Sequence, residues 1–459
     1  MLKLEYRIEK DSLGEVKVPK DALWGPQTER SHNNFKIGQT MPLAVVNNLL
    51  QIKKAAAIVN HEIGNLSADK AALISSTVDQ ILATDHQSAF PLVVFQTGSG
   101  TQTNMNVNEV IAHIANQRAG AASIHPNDDV NQSQSSNDTF PTAMMMAATQ
   151  AIDKLIPAIA SLIEALQKKE AEFKTVVKIG RTHLQDATPI TFGQEISGWV
   201  SALKHDLDYL KTNRATLLEL PIGATAVGTG LNTPNGFDQA MVAQLSKQTQ
   251  LQFTVAPNKF QGLANHSGIT MVHGILKTLA TDLIKIGNDV RFLASGPRAG
   301  YDELNIPSNE PGSSIMPGKV NPTQVEALTM VSAQVIGHDT TINIANSQGN
   351  FEMNVYKPII IYDFLDSSNL LTEAIESFNH HLVQGLTVNQ SRMTELLDNS
   401  LMLVTALSPH IGYERSAKIA QKAQHDGSTL KAAALASGVT EAEFNQWVNA
   451  RAMTNIDRK

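Results

Sequence analysis

A chain of 459 residues with 42% hydrophobic, 17% charged and 5% aromatic side chains has the make-up of a folded protein and lies far from the disordered class. Its 36 Lys and Arg against 43 Asp and Glu leave a net charge of -7, which argues against a nucleic-acid surface. With no cysteine, disulfide scaffolds, thiolate metal clusters and cysteine nucleophiles are all excluded.

Taken in chain order, Met1–Lys20 alternates charged and apolar residues. It has neither the apolar stretch of a signal peptide nor the Arg-rich make-up of a transit peptide. Tyr6–Val18 predicts a short β-ribbon, and Leu92–Phe95 is an apolar run too short to classify. Further on, Ile152, Leu155, Ile156, Ile159, Ile163 and Leu166 recur at helical spacing, with Pro157 predicting a kink. The same spacing joins Ile196, Trp199, Val200, Leu203, Leu207 and Leu210, and again Val272, Ile275, Leu276, Leu279, Leu283, Ile286, Val290 and Leu293. After residue 390 the helical patterns shorten, and Thr440 with Glu443 is spaced as a capping box ahead of Phe444 and Trp447.

No apolar run reaches the roughly 18 residues a membrane span needs, so no membrane partner and a cytoplasmic location are expected. The pattern predicts an all-α fold in three segments: a mainly helical 1–140, a long-helix bundle over 141–390 and a small helical 391–459. Apolar faces too large for one bundle to cover predict a homo-oligomer.

Four polar stretches interrupt the helical pattern. In Gln96–Asn108 the glycines Gly98 and Gly100 suggest a dinucleotide loop, but Thr103 stands where its third glycine belongs. Ser99 and Thr101 could instead offer donors to a carboxylate at a helix N-terminus, though on this segment alone a plain helix cap is the favoured reading. His125–Pro141 is too polar for core and too rich in Asn and Ser for a helix interior; a solvated loop is the simplest reading. Gly180–Pro189 contains His183, one of 14 histidines, which gains weight from Arg181, Thr182 and Gln185 beside it. Gly300–Pro322 carries four prolines and three glycines and so cannot be regular helix throughout. Helix resumes at Val325 through Leu328 and Val335, which favours a binding loop over a linker, with Ser313, Ser314 and Lys319 placed to close over a ligand.

The sequence offers no metal-ligand spacing, no phosphate-binding loop and no nucleophile elbow, so neither metal nor cofactor is expected. Neutral donors, a lysine and a histidine suit a small dicarboxylate and the charge that develops beside one of its carboxylates. Lys319 and Asn321 fit that task. A serine such as Ser313 can act as base there only if amides and the nearby lysine stabilise its alkoxide.

Together, GSSIMPGKVNP at Gly312–Pro322, RIEKDSLGEVKVP, LWGPQTERS, TGSGTQTNMN, HPNDDVN, QSSNDTFPT and GRTHLQDATP resemble the fumarase/aspartase superfamily over nearly the whole chain. Within it the chain is similar to the iron-independent class II fumarate hydratases, which interconvert fumarate and (S)-malate in the tricarboxylic acid cycle. The resemblance implies an all-α homotetramer around a shared bundle, each active site drawing on three subunits. It implies Ser313 as the base at C3 of malate and His183, paired with Glu326, as the group handling water. It assigns substrate binding to Ser99, Gly100, Thr101, Ser135, Ser136, Asn137, Thr182, Ser314, Lys319, Val320 and Asn321. A second dicarboxylate site is implied at His125, Pro126, Asn127 and Asp128, weakened by the shortened RAGAASI at Arg118–Ile124. Aspartases are the nearest competitor, typically with Gln in place of His183 and Ala in place of Gly318. A non-catalytic protein on the same scaffold is the alternative of another class, and the joint presence of Ser313, Lys319, Asn321, His183 and Glu326 speaks against it.

Overall fold

The computed structural model describes residues 5–457, so the first four residues of the Met1–Lys20 segment lie outside the described range. In chain order the elements are β1 (Tyr6–Asp11), β2 (Gly14–Pro19), α1 (Pro26–Asn34), α2 (Leu43–Glu62), α3 (Ala68–Leu82), α4 (Thr101–Ala119), α5 (Ser136–Glu172), β3 (Val177–Thr182), β4 (Gln185–Thr191) and α6 (Phe192–Asn213). There follow α7 (Phe237–Thr249), α8 (Lys259–Ala264), α9 (Ser267–Leu293), α10 (Thr323–Asn346), α11 (Lys357–Phe378) and α12 (Gln390–Asn399). Shorter helices close the chain: α13 (Ser408–Ile411), α14 (Tyr413–Asp426), α15 (Leu430–Ala436), α16 (Glu441–Trp447) and α17 (Ala450–Met453). Every sheet among the described residues is two-stranded, so the fold is all-α with small β-ribbons.

Helical periodicity located the three long central helices correctly. On α9, Val272, Leu276, Leu279, Leu283, Ile286, Val290 and Leu293 are all buried, each removal of a Leu or Ile from water contributing roughly 1.5–3 kcal/mol. On α6, Ile196, Trp199, Val200, Leu203, Leu207 and Leu210 are likewise buried, and the Trp199 indole N–H donates to Asp289 at 3.0 Å. α5 passes through Pro157 without a break. It is also long enough and, with a mean hydropathy of 1.2 over 18 residues, apolar enough to cross a membrane, yet 61% of that window is buried in the protein. That burial accounts for its composition as a core helix.

The chain divides into two compact units. The first comprises Met1–Ile156, Asp208–Thr278 and Ala333–Leu371, the second Pro157–Leu207, Leu279–Ser332 and Thr372–Lys459. In the first unit the Tyr6–Pro19 ribbon leads into α1, whose free amides are satisfied from a distance. The Glu109 carboxylate on α4 accepts from the backbone N–H of Gly25, Gln27 and Thr28 at 3.0, 2.8 and 3.1 Å. In the second unit the short C-terminal helices bury Leu403, Leu407, Ile419, Leu430 and Phe444 in one cluster, which Ile179 of β3 completes. The capping box forms as spaced: Thr440 Oγ1 accepts from Glu443 N, and Glu443 Oε2 accepts from Thr440 N.

Gly180–Pro189 does interrupt the helical pattern, and it does so as the heart of a β-hairpin, β3 pairing antiparallel with β4 from Val177↔Thr191 to Thr182↔Gln185. One expectation needs correction: the second half of His125–Pro141 is not a solvated loop, because α5 already begins at Ser136. Asp138 explains why: its buried carboxylate accepts from the N–H of Ser135, Gly223 and Thr225 at 3.0, 2.9 and 2.9 Å. Two of those partners lie more than 80 residues away in sequence.

Candidate active site

Two helix N-termini meet in the first unit. α4 starts after Gly100, which holds the left-handed conformation (φ 79°), and a Cβ there would collide with the Phe140 ring on α5. Only glycine allows the two helix starts to approach this closely. Ser99 Oγ and Thr101 Oγ1 share a hydrogen bond of 2.9 Å at the head of α4. Ser135, Ser136 and Asn137 sit at the head of α5, where Asn137 Nδ2 donates to the Ala226 carbonyl at 2.8 Å. Asn104 joins the two ends: its Nδ2 lies 3.5 Å from Ser136 Oγ, and its Oδ1 accepts from Thr139 at 3.1 Å. The Thr103 and Asn137 amides are taken by Gln96 Oε1 (3.1 Å) and Ser135 Oγ (3.2 Å), and the positive ends of the two helix dipoles favour negative charge beside them.

Beneath these ends lies a support that composition alone does not reveal. Lys53 on α2 is fully buried, and its Nζ donates to Asn131 Oδ1 and Gln134 Oε1, both at 2.9 Å. Asn131 Oδ1 also accepts from Asn104 and Asn108 at 3.1 Å each. Burial pushes the Lys53 ammonium down to about 7, with the Asp138 charge pulling the other way. Burial conversely pushes the Asp138 carboxyl up, against its three amide donors and Lys53.

His125, Asn127 and Asp128 lie nearby in sequence on an exposed turn, with Pro126 half-buried. His125 Nδ1 accepts from Asp128 N at 3.1 Å, and Asp129 behind it pairs with Lys70 at 2.7 Å. Asn127 and Ser135 both border a polar cleft of about 290 Å³ that Thr225 and Asn232 help to line.

In the second unit, Thr182 and His183 occupy the tip of the β3–β4 hairpin. His183 (φ 56°) and Leu184 (φ 58°) form its two-residue turn, both left-handed although neither is glycine. Such strain persists only where surrounding structure enforces it, and it concentrates at functional positions. Behind the tip, the Arg181 guanidinium grips the fully buried Glu303 with two bonds of 2.9 and 3.1 Å and stacks 4.4 Å from the Tyr301 ring centroid. Lys178 adds a second cation, 3.3 Å from Glu303 and 2.8 Å from Glu195.

Ser313, Ser314, Lys319, Val320 and Asn321 lie on the loop between α9 and α10. Ser313 Oγ accepts backbone N–H groups from Ile315 (3.3 Å) and Met316 (3.0 Å). Asn321 Nδ2 donates to the Gly312 carbonyl, and a Cβ on Gly312 would strike the Lys319 carbonyl, so the loop closes tightly on itself. The cup it forms, about 430 Å³, is lined by Ser308–Ser313 and Met316–Val320. Glu326 is exposed on the first turn of α10. Among the described residues no group of three or more His, Asp or Glu is arranged to hold a metal ion.

The expected site residues thus fall into two sets: Ser99–Thr101, Ser135–Asn137 and His125–Asp128 in the first unit, Thr182, His183, Ser313, Ser314, Lys319–Asn321 and Glu326 in the second. Sequence reasoning missed Lys53, Asn104, Asn131, Asp138 and Glu303, all supporting groups whose partners are distant along the chain.

Comparison with known proteins gives a consistent picture. The sequence matches the profile of the family described as Lyase over residues 14–337 and that of the Fumarase C C-terminus over residues 403–455. It is 56% identical to the class II fumarate hydratase of Listeria monocytogenes, over 98% of this chain and all of that protein. The chain belongs to the class II fumarate hydratase family. The corresponding protein of Nitrosomonas europaea is 54% identical over 98% of this chain and all of its own. Among solved structures, the class II fumarase of Schistosoma mansoni superposes with a TM-score of 0.95 at 41% identity, covering 98% of this chain and 99% of that one. The fumarate lyase:delta crystallin of Brucella melitensis superposes with a TM-score of 0.94 at 38% identity, covering 98% and 100%. A fumarate hydratase is a lyase, and the all-α architecture described above is the one these relatives share.

Proposed function

We propose that this chain interconverts fumarate and (S)-malate, with Ser313 as the base, His183 with Glu326 as the water-handling group, and two helix N-termini as the carboxylate cradle. The observation that carries the reading is the pair of amides aimed at Ser313 Oγ. A serine hydroxyl is a poor base because its alkoxide is unstable, and two N–H donors together with Lys319 lower the energy of that alkoxide.

On malate, Ser313 removes the C3 proton and the C–H electrons pass into the adjacent carboxylate, giving a dianionic aci-carboxylate. Lys319, Asn321 and the backbone at Val320 and Ser314 face the oxygens that gain charge. The electrons then return to form the C2–C3 double bond while the C2 hydroxyl leaves, taking a proton from His183 to depart as water. Ser99, Gly100, Thr101, Ser135, Ser136, Asn137 and Thr182 hold the carboxylates and hydroxyl. Because these groups make equivalent contacts to both ground state and transition state, they set affinity more than turnover.

Three further parts belong to the same proposal. The enzyme is a cytoplasmic homotetramer whose sites each combine residues of three subunits; the exposure of His183, Glu326, Ser314 and Lys319 on the single chain supports this. The segments 1–140, 141–390 and 391–459 act as mainly helical N-terminal domain, shared bundle and C-terminal domain, the long helices α5, α6, α9, α10 and α11 falling almost wholly within the middle one. His125–Asp128 forms a weak second dicarboxylate site.

The test follows the ultraviolet absorbance of the fumarate double bond after adding malate and then aspartate. The reading expects a rise with malate and none with aspartate. A rise with aspartate alone would move the chain to the ammonia-lyase branch, and no rise with either would overturn the proposal.

A further inference from the structure

We propose that Glu303 is a positioning residue for the reaction, holding the Thr182–His183 turn through Arg181 at the root of the loop that carries Ser313. The inference rests on the catalytic reading of His183 given above. Glu303 has no exposure to solvent, and a buried carboxylate costs stability unless it is paired and hydrogen-bonded. Its two oxygens accept from both terminal nitrogens of Arg181, with Lys178 Nζ 3.3 Å away. Planar bidentate pairing of this kind fixes direction as well as distance. Burial alone would weaken the charge on Arg181, yet the hydrogen bonds and charge of Glu303 hold its guanidinium above its ordinary value.

The backbone of Glu303 is pinned as firmly as its side chain. Its N–H donates to the Leu293 carbonyl at the end of α9 (2.8 Å), and its carbonyl accepts from Asn389 N (2.8 Å). Leu304–Asn305 then pairs with Thr387–Val388, so regular pairing ends at Asn305 and the loop proper begins. Glu303 is therefore the fixed point from which the Ser313 loop departs and to which the His183 hairpin is tied. Arg181 is two residues from His183, and the strained turn at His183–Leu184 needs such a clamp to keep one orientation. Neither Glu303 nor Arg181 is needed for the chemistry itself.

The experiment combines kinetics with amide hydrogen exchange on the full-length enzyme. Glu303→Gln keeps the shape and removes the charge. We expect the amides of the paired positions that close the turn, Arg181, Thr182, Gln185 and Asp186, to exchange at least tenfold faster, kcat to fall about thirtyfold and KM to stay within threefold. In a His183→Asn background the same substitution should lower kcat by less than threefold, because its effect runs through His183. An equal loss in both backgrounds, or unchanged exchange at the turn, would overturn the proposal. If Glu303→Gln does not fold, Arg181→Lys retains the charge without the fork and should lower kcat about tenfold with the same exchange signature; an unchanged rate and unchanged exchange would be equally fatal. Full activity of His183→Asn alone would sink the catalytic reading, and the exchange of the paired residues 181, 182, 185 and 186 in Glu303→Gln would still decide whether Glu303 holds the turn.

Discussion

Around Thr101 and Ser136 the donors sit on helix ends propped from below by Lys53, Asn104, Asn131 and Asp138, all but Asn131 fully buried. Around Ser313 the hydrogen bonds instead run within residues 312–321, and Ser314, Lys319 and Val320 are exposed. The first region is held by many buried contacts, which on the proposed reading set an anion-binding geometry before ligand arrives. The second is held chiefly by bonds within the loop itself, with Asn309 Nδ2 donating to the His381 carbonyl at 3.0 Å as a tie to the rest of the unit. On the proposed reading, binding groups gain from rigidity, whereas a base that must close over substrate and release product gains from a loop.

Substitutions at two glycines break this comparison most directly. Gly100→Ala places a methyl in the Phe140 ring at a left-handed position, so the cradle must open. It should cost about 3 kcal/mol in urea unfolding and raise KM for fumarate. Gly312→Ala drives a methyl into the Lys319 carbonyl and must reshape the loop. Here the expectation is reversed: kcat falls about a hundredfold while unfolding free energy changes by less than about 1 kcal/mol. Equal stability losses in both variants would erase the distinction between the two regions.

A smaller effect sharpens it. Lys53 titrates near 7 in the fold, pushed down by burial against the pull of Asp138, and about 10.4 in the unfolded chain. The unfolded state therefore binds more protons between these values, and stability rises with pH across that window. The penalty is largest below pH 7 and is relieved as pH climbs toward 10.4. Lys53→Met removes the titration, so from pH 7 to pH 9 the wild type should gain about 2 kcal/mol relative to the variant. A constant gap would show that Lys53 is not held unfavourably beneath the cradle.

The sequence made the long helices legible because their apolar spacing is a local property, as on α9 from Val272 to Leu293. The candidate site residues were singled out through motifs, above all Gly312–Pro322, and their roles stand as the proposal made above. The hairpin was not, since its turn is His183–Leu184 rather than the Asn-Gly or Asp-Gly that signals a two-residue loop. Nor was the helical start at Ser136, because the bonds from Gly223 and Thr225 that fix Asp138 come from remote sequence. Glu303 stayed hidden for the same reason: Arg181 lies 122 residues before it.

Proton abstraction by Ser313 is tested most directly by hydrogen exchange at C3 of malate in deuterium oxide, followed by NMR with wild type and Ser313→Ala. The alanine variant should bind fumarate with affinity within a few-fold of wild type while C3 exchange and turnover both fall about a thousandfold. Exchange at the wild-type rate in the variant would remove Ser313 from the chemistry.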